Sequence, residues 1–581
     1  MGLTEEVAAV VRKAALLNAI RHSGRAEVGA VIGRALAERP DLRPVTKEFA
    51  ELCSQTVREI NQLSLSNQKR ALEEKWPETL VEEKQEEERA LPPLPNVERY
   101  TRIVTRFSPN PDCVLHIGST RAVVLCHEYA RMYDGKFVLR FEDTDPRLKR
   151  PRPEFYGLIE EDILWLGCKW DEKVIQSDRM HIYYEYTARL LEREGAYVCT
   201  CSKESFRTLA LASKPCPDRN LEPSEQLARW EKMLNGTYTE KEALVRVKTD
   251  LNHPNPAVRD WPAMRIIDTT ETPHPRVGSK YRVWPLYNMA CGVDDHMLGI
   301  SHIIRGKEHL TNEVRQRFMY KSLGWAYPET LHYGRLKVIG AELSKSKILR
   351  LVEEKTVSGF SDPRLATLSA LRKRGIAPET LRLLVIEIGP RPVDATLSWD
   401  NIYAINRKVV DDKADRFFFL RDPVPMTVKG VRKTYVSTPV LHPDHPERGT
   451  RRLEVEPFDG KANVLFASND VERLAKGKLI RLMELFNVNI VSARTELVEA
   501  EFVSDSYDNA RKVGAPLFQW LPSQGNIRVN LTMTDGEAVQ GLGEQALSHV
   551  DVGKVVQLVR VGFGRIDGKS SDEVAIFFAH S

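Results

Sequence analysis

Arg106-Phe-Ser-Pro-Asn-Pro-Asp-Cys-Val-Leu-His-Ile-Gly-Ser119 is the stretch that decides the fold of this chain. It follows a β-type run, Tyr100 to Thr105, and leads into a segment with helical spacing over about 116–133. Pro109 and Pro111 fix φ and hold the loop extended. The first amides of a helix lack partners and its dipole favours negative charge, so a helix starting at His116-Ile-Gly118 can receive a phosphate. Gly118 takes the side chain away where a ligand must approach the backbone.

Outward from this stretch the pattern is β/α. Lys136-Phe-Val-Leu-Arg-Phe-Glu142 reads as a second strand, ending in Asp143-Thr-Asp145, and a helix follows over about 153–166. A strand over 300–306, a helix over about 311–323 and a strand-like run from Leu331 to Ile339 resume the pattern. Alternating β and α units predict a doubly wound parallel sheet, with ligands beyond the carboxyl ends of its strands. Arg106 and Glu142 both fall at such an end.

The flanking regions differ. Residues 1 to about 78 read as helices, with Val7, Val10, Val11, Ala14, Leu16 and Leu17 roughly along one face and Phe49, Leu52, Val57, Ile60 and Leu63 repeating the pattern. Arg12, Lys13, Arg21, His22 and Arg25 read first as a solvated face and second as an RNA contact. The charged run Glu82 to Arg89 and the prolines at 92, 93 and 95 place a linker before residue 97. Residues 199–280 interrupt the β/α rhythm with Cys199-Thr-Cys201, Cys216 and proline-rich loops, as an inserted domain would. After 281–350, where the β/α pattern resumes, helical spacing covers about 363–410. From 415 to 581 short alternating segments separated by Asp-Gly turns predict two β-barrels.

Composition sets bounds. At 581 residues, 29% charged, the chain holds several domains, and a net charge of +4 leaves any polyanion contact to local patches. No apolar run has a membrane span's length, and the N-terminus lacks a signal peptide's pattern. Eight scattered cysteines suit a reducing compartment. A cytoplasmic monomer is the expectation.

Arg-x-x-Pro-x-Pro followed by His-Ile-Gly resembles the first signature of class I aminoacyl-tRNA synthetases of the glutamyl/glutaminyl subgroup. Leu343-Ser344-Lys345-Ser346 resembles their second, a mobile Lys-Met-Ser-Lys-Ser loop, with Glu342 replacing its first lysine and Lys347 a possible compensation. The resemblance covers about 98–581. The β-barrel end and the junction Asn406 to Pro423 are similar to the branch of archaeal glutamyl enzymes, as is the N-terminal extension.

That resemblance implies a helical extension (1–97), a Rossmann-like catalytic domain (98–198 and 281–350) with an inserted acceptor-stem domain (199–280), a helical stem-contact region (351–414) and anticodon-binding barrels (415–581). It implies ATP, with Mg2+, and L-glutamate as substrates, joined as an adenylate and transferred to tRNA(Glu), with charging of tRNA(Gln) open. His116, Gly118 and Lys345 are the implied catalytic residues, and Pro109, Ser119, Ser344 and Ser346 further ATP contacts. Arg106, Ser108, Glu142, Tyr287 and Arg305 are the implied amino-acid contacts. Arginine suits a carboxylate through paired N–H donors, and Glu142 suits the ammonium. Cys291 stands where bacterial glutamyl enzymes carry Asn, so that contact does not transfer. Cys199, Cys201 and Cys216 resemble a zinc site of some relatives, with Asp218 where a histidine is expected; buried free thiols are the favoured reading. A glutaminyl enzyme is the alternative reading, and a non-catalytic tRNA-binding paralogue another.

Overall fold

The computed structural model describes residues 5–21, 24–39, 46–76 and 91–581, so His22 and the charged run 82–89 lie outside the described residues. The chain divides into two compact units, Met1–Ala90 and Leu91–Ser581. The first holds helices α1 (Glu5–Arg21), α2 (Val28–Glu38), α3 (Thr46–Asn61) and α4 (Leu65–Lys75). Ala14, Ala15, Leu16 and Leu17 are consecutive and all buried, so α1 is covered on every side, by α2, α3 and α4. Arg12 pairs with Glu59 at 3.7 Å on the exposed surface, in keeping with a solvated face.

In the second unit β1 (Val104–Phe107) leads to α5 (Ile117–Met132), β2 (Lys136–Phe141), α6 (Pro153–Trp165) and β3 (Glu172–Ile175). The three strands are parallel, in the order β1-β2-β3, with Arg106 beside Val138. Arg106 lies inside β1, although the sequence pattern ends the strand at Thr105. All four β1 residues are buried, so no alternation marks the strand's length. After α7 (Met180–Glu192), the insertion is an antiparallel sheet of β4 (Ala196–Cys199), β5 (Leu244–Val247), β6 (Pro262–Ile266) and β7 (Val283–Pro285). It carries α8 (Lys203–Leu211) and α9 (Pro223–Asn235) between its first two strands.

The parallel fold resumes with α10 (Tyr287–Met297), β8 (His302–Gly306), α11 (Leu310–Leu323) and β9 (Glu329–Tyr333). β8 and β9 are parallel, and Ser301 joins them to β1: its N–H donates to the Val104 carbonyl (3.0 Å) and its Oγ accepts from the Val104 N–H (2.8 Å). The run from Leu331 to Ile339 is two strands, not one. At Gly334 a Cβ would strike the Val393 backbone, and past it β10 (Leu336–Val338) pairs instead with β11 (Ala395–Leu397). Between them lie α12 (Lys345–Glu353), α13 (Leu368–Arg374) and α14 (Pro378–Ile388), and α15 (Trp399–Val410) follows. Gly375 (φ +94°) and Gly389 (φ +64°) end α13 and α14, which is why the helical spacing over 363–410 is not one helix.

Two seven-stranded sheets form the C-terminal part. Asp415–Phe417 and Phe419–Arg421 begin one sheet, the chain then builds the other from 423 to 522, and it returns to finish the first. The run Phe417-Phe-Phe-Leu420 serves both. Phe417 and Phe419 enter one core, Phe418 and Leu420 the other, as the two-residue period of extended chain requires.

Candidate active site

A cleft of about 710 Å³ opens at the carboxyl ends of β1, β2 and β8. Arg106, Ser108, Glu142, Tyr287 and Arg305, the residues expected to hold the amino acid, all line it. Arg106 is buried, and its Nε and Nη2 donate to Asp295 at 3.0 and 3.5 Å. Arg140, also buried, donates to Asp295 (2.7 Å) and to Glu142 (3.1 Å). Burial works against the Asp295 charge, but Arg106 and Arg140 outweigh it and hold the carboxyl below its usual range. The Cys291 Sγ donates to Glu142 at 2.9 Å; burial, then the Glu142 charge, keeps the thiol protonated. Cys291 therefore braces Glu142 in place of the contact expected from an asparagine.

Arg305 has a different environment. Its Nη1 and Nη2 donate to Gln316 and to the Tyr327 hydroxyl, both at 3.0 Å, and its buried Nε has no partner. No carboxylate within salt-bridge distance pairs with it among the described residues. Ser108 Oγ, Asn110 Oδ1 and Asn288 Oδ1 are likewise buried, unpartnered and on the cleft wall. Buried polar atoms are rarely left so, and a cluster of them around one opening marks a place for a polar ligand. Tyr287 stacks at 34° on His309, with ring centres 5.1 Å apart.

The helix start behaves differently from a bare amide cradle. His116 is the N-cap of α5, and its Nδ1 accepts from the Gly118 N–H at 3.0 Å. That assignment leaves the proton on Nε2, making the ring an outward donor. A Cβ at Gly118 would lie 2.9 Å from the His116 ring, so the glycine makes room for the histidine as well as for a ligand. Burial, reinforced by the Lys345 ammonium, pushes His116 down to about 4. Because this lies below the ordinary 6.5, the folded state takes up fewer protons than the unfolded one between those values. Its contribution to stability is complete above 6.5 and is lost as the pH falls toward 4. We expect the His116 ring resonances in an NMR titration to stay those of neutral imidazole at pH 6; a midpoint near 6.5 would mean that the cap is absent.

Lys345 opens α12, and its Nζ donates to Asp112 (2.7 Å) and to the Asn110 carbonyl (3.2 Å), both on the first-signature loop. Two segments some 230 residues apart are thus tied by one side chain. Ser344 and Ser346 hydroxyls meet at 3.1 Å. Glu342 accepts from the Ser344 N–H at 2.8 Å and pairs with Lys347 at 3.2 Å. In the substrate-free chain Lys347 pairs with Glu342, the residue that stands in place of the missing lysine. Pro109 enters through its carbonyl, which accepts from the Glu142 N–H (2.9 Å), and the Ser119 N–H donates to the His116 carbonyl (2.8 Å). None of His116, Gly118 and Ser119 lines the larger cleft.

In the insertion, ligand atoms of Cys199, Cys201, Cys216 and Asp218 lie within 4.8 Å of one another. Cys216 Sγ is 3.7 Å from that of Cys199 and 3.3 Å from that of Cys201. A hydrogen bond from Cys216 draws the Cys199 thiol down to about 6. These separations are close to those of sulfurs around one zinc at roughly 2.3 Å. Asp218 already accepts from Thr200 and from Arg229, so its second role is to fix the loop.

Asp295, Gln316 and Tyr327 had no signature to announce them, and Arg140 and Cys291, though they stand in quoted stretches, were given no partner there. The one available signal was Asp294-Asp295 inside an otherwise apolar helix, since paired carboxylates in such a place need buried cations. Asp294 has its own partners, accepting from Arg179 (2.7 Å), Tyr183 (2.8 Å) and Gln176 (3.1 Å).

The family model for the catalytic domain of class I tRNA synthetases (E and Q) matches residues 102–412, and that for their anticodon-binding domain matches 414–505. Curated relatives are similar over the whole chain. The glutamate–tRNA ligase of Thermococcus kodakarensis is 50% identical over 579 residues, covering 99% of this chain and 100% of its own. That of Pyrococcus abyssi is 50% identical over 580 residues with the same coverage. That of Hyperthermus butylicus is 45% identical, covering 97% of this chain and 100% of its own.

Proposed function

The chain belongs to the class I tRNA synthetases of the glutamyl/glutaminyl type, and we propose that it attaches L-glutamate to tRNA(Glu) at the expense of ATP, acting as a monomer in the cytoplasm. The Arg305 guanidinium, which has no carboxylate in direct contact, carries the choice of glutamate. In the cleft Arg106 and Arg140 are balanced by Asp295 and Glu142, whereas Arg305 meets only neutral oxygens. A buried cation without an anion is costly, and a substrate carboxylate relieves that cost where a carboxamide does not. This favours glutamate over glutamine. A purely tRNA-binding role gives no reason for such a cleft.

The reaction needs no covalent nucleophile from the protein. Glu142, braced by Cys291 and Arg140, takes the substrate ammonium. Arg305 and the free edge of Arg106 take its carboxylates, with Ser108 and Tyr287 bounding the pocket. The glutamate α-carboxylate oxygen attacks the α-phosphorus of ATP, which enters with Mg2+. A P–O bond forms, the bond to the bridging oxygen breaks, and pyrophosphate leaves with the electron pair. Held neutral, His116 donates from Nε2 to phosphate oxygen while the Gly118 region and Lys345 meet the growing charge. Pro109, Ser119, Ser344 and Ser346 hold the loops that carry these groups. In the second step a hydroxyl of the tRNA 3'-terminal ribose attacks the acyl carbon and AMP departs.

Charging separate transcripts of tRNA(Glu) and tRNA(Gln) with labelled glutamate and glutamine tests this reading. We expect ATP-dependent attachment of glutamate to tRNA(Glu), and glutamine a poor substrate. Preferential glutamine transfer would establish the glutaminyl alternative, and tRNA binding without transfer the paralogue. Glutamate attached to tRNA(Gln) would widen the enzyme's range.

Cys199, Cys201 and Cys216, with Asp218, fit a structural zinc, which would fasten the start of α8 to β4 and contribute to folding of the insertion. Metal analysis of the purified protein is expected to find one zinc per chain, removed by chelators together with part of the insertion's thermal stability. Protein free of zinc and equally stable would leave the thiols as a buried cluster.

A further inference from the structure

The parallel ladder of β2 ends at the pair Phe141–Ile175, one residue before Glu142. From Glu142 to Asp145 the chain is held by other contacts, and these set where the Glu142 carboxylate stands. The Glu142 N–H donates to the Pro109 carbonyl at 2.9 Å. Asp143 is wholly buried, and its carboxylate accepts from the Tyr156 hydroxyl (2.7 Å), the Ser177 hydroxyl (2.7 Å) and the Ser177 N–H (2.8 Å). Asp145 pairs with Arg265 of β6 at 3.0 Å.

The Asp143 carbonyl takes its partner from the insertion. His274, in the loop between β6 and β7, lies 2.8 Å from it through Nε2. Its Nδ1 accepts from the Arg276 and Val277 N–H groups (3.2 and 3.3 Å), so the proton is on Nε2 and the ring donates to the carbonyl. The ring is 1% exposed and lies against the buried Trp284, with centres 5.2 Å apart. His274 and Gly278 exchange both backbone hydrogen bonds (3.1 and 2.8 Å), which closes the loop, and Gly278 supplies the positive φ of +57° that the closure needs. Arg276 fastens the loop's outer side to Asp178 at 2.8 and 3.0 Å. A histidine that served the insertion's core alone would spend both nitrogens inside it. This one spends Nδ1 on its own loop and Nε2 on the carbonyl of the residue that follows Glu142.

We infer that His274 is a positioning residue for the reaction: by holding the Asp143 carbonyl it fixes the strand end that aims the Glu142 carboxylate at the substrate ammonium. The inference rests on the reading of Glu142 as the ammonium partner. Cys291 and Arg140 both donate to one oxygen of that carboxylate, Oε1, which leaves Oε2 for the substrate. Those two contacts hold the tip of the side chain, and His274 holds the backbone beneath it. The groups that face ATP, His116 and Lys345, stand on α5 and α12, so loss of the His274 bond falls on glutamate and not on the nucleotide. The insertion thereby does more than carry its own sheet: one of its loops completes the amino-acid site from behind.

The test is the initial rate of glutamate attachment to a tRNA(Glu) transcript, comparing the wild-type chain with His274→Asn and His274→Gln. Asparagine keeps an acceptor for the Arg276 and Val277 amides, as in an Asx turn, but is too short to reach the Asp143 carbonyl; glutamine reaches it with its terminal amide. Each variant keeps one of the two contacts, so each folds. In His274→Asn the glutamate KM is expected to rise by about five- to tenfold, the equivalent of one hydrogen bond, with the ATP KM and the melting temperature close to wild type. His274→Gln is expected to recover most of that rise. Glu142→Gln is expected to raise the glutamate KM by itself, and adding His274→Asn to it is expected to raise it little further, because the histidine acts through that carboxylate. An unchanged glutamate KM in His274→Asn overturns the inference, whatever the melting temperature does. Equal rises in the glutamate and ATP KM, a glutamine variant no better than the asparagine one, or effects that multiply fully in the double variant overturn it too, and leave His274 as support for the fold. A Glu142→Gln chain with the wild-type glutamate KM removes the ammonium role of Glu142 and the inference with it, a result told apart by being read with His274 intact.

Discussion

Lys345→Ala is expected to slow adenylate formation by about 10²–10³-fold, the usual cost of deleting one preorganised donor to transition-state charge, and to leave glutamate affinity nearly unchanged. The ammonium is far from Arg106 in sequence but is tied by Asp112 to the loop that joins β1, which carries Arg106, to the helix capped by His116. With substrates absent, its charge is matched by a carboxylate, so a phosphate must draw it away before it can act. The gain is therefore concentrated where phosphate charge grows, in the transition state, and not in binding of the amino acid. Single-turnover measurement of adenylate formation, with glutamate binding measured separately, checks both halves. A variant of near-normal rate would mean that the second-signature lysine does not meet the phosphates. One that lost glutamate affinity in proportion to rate would place it in the amino-acid site.

Asp295→Ala is expected to produce the second large effect, on stability as well as catalysis. Asp295 binds Arg106 and Arg140 at once, and all three side chains are at most 4% exposed. Removing it leaves two buried guanidinium groups without their shared anion and takes from Arg305 the nearby negative charge that also favours its ionised form. Breaking a buried pair by deleting one partner typically costs about 3–5 kcal/mol, so denaturant unfolding should fall by at least the lower figure. Asp295→Asn keeps the shape and one acceptor oxygen but removes the charge. It is expected to fold better than the alanine variant and yet raise the glutamate KM severalfold, because Arg106 is then free to swing from its position. If Asp295→Ala unfolds like the wild-type chain, water must reach the arginines and the cleft is wetter than its burial indicates.

Much of this architecture is legible in one dimension. The stretch from Arg106 to Ser119 carries its chemistry in residue type and spacing: prolines for an extended loop, a histidine at the cap position, a glycine beside it. The β/α rhythm places those residues at strand ends, and the five residues expected to contact the amino acid converge on one cleft. Alternation failed where it must, in β1, which is buried on both faces, and across Gly334, where contact with a segment some 60 residues away sends the chain into a different sheet.

Other properties belong only to the folded chain. That Asp295 bridges two arginines, that Cys291 donates to Glu142, that Lys347 answers Glu342 and that Asp112 holds Lys345 are pairings of ordinary residues, most of them between segments far apart. No periodicity encodes them, because ion pairing depends on distance and burial, which the topology sets. The same holds for the charge balance of the cleft. Sequence alone predicted an arginine-lined cleft beside a histidine-capped helix start; the tertiary structure decided which of its arginines pairs directly with a carboxylate and which, Arg305, does not.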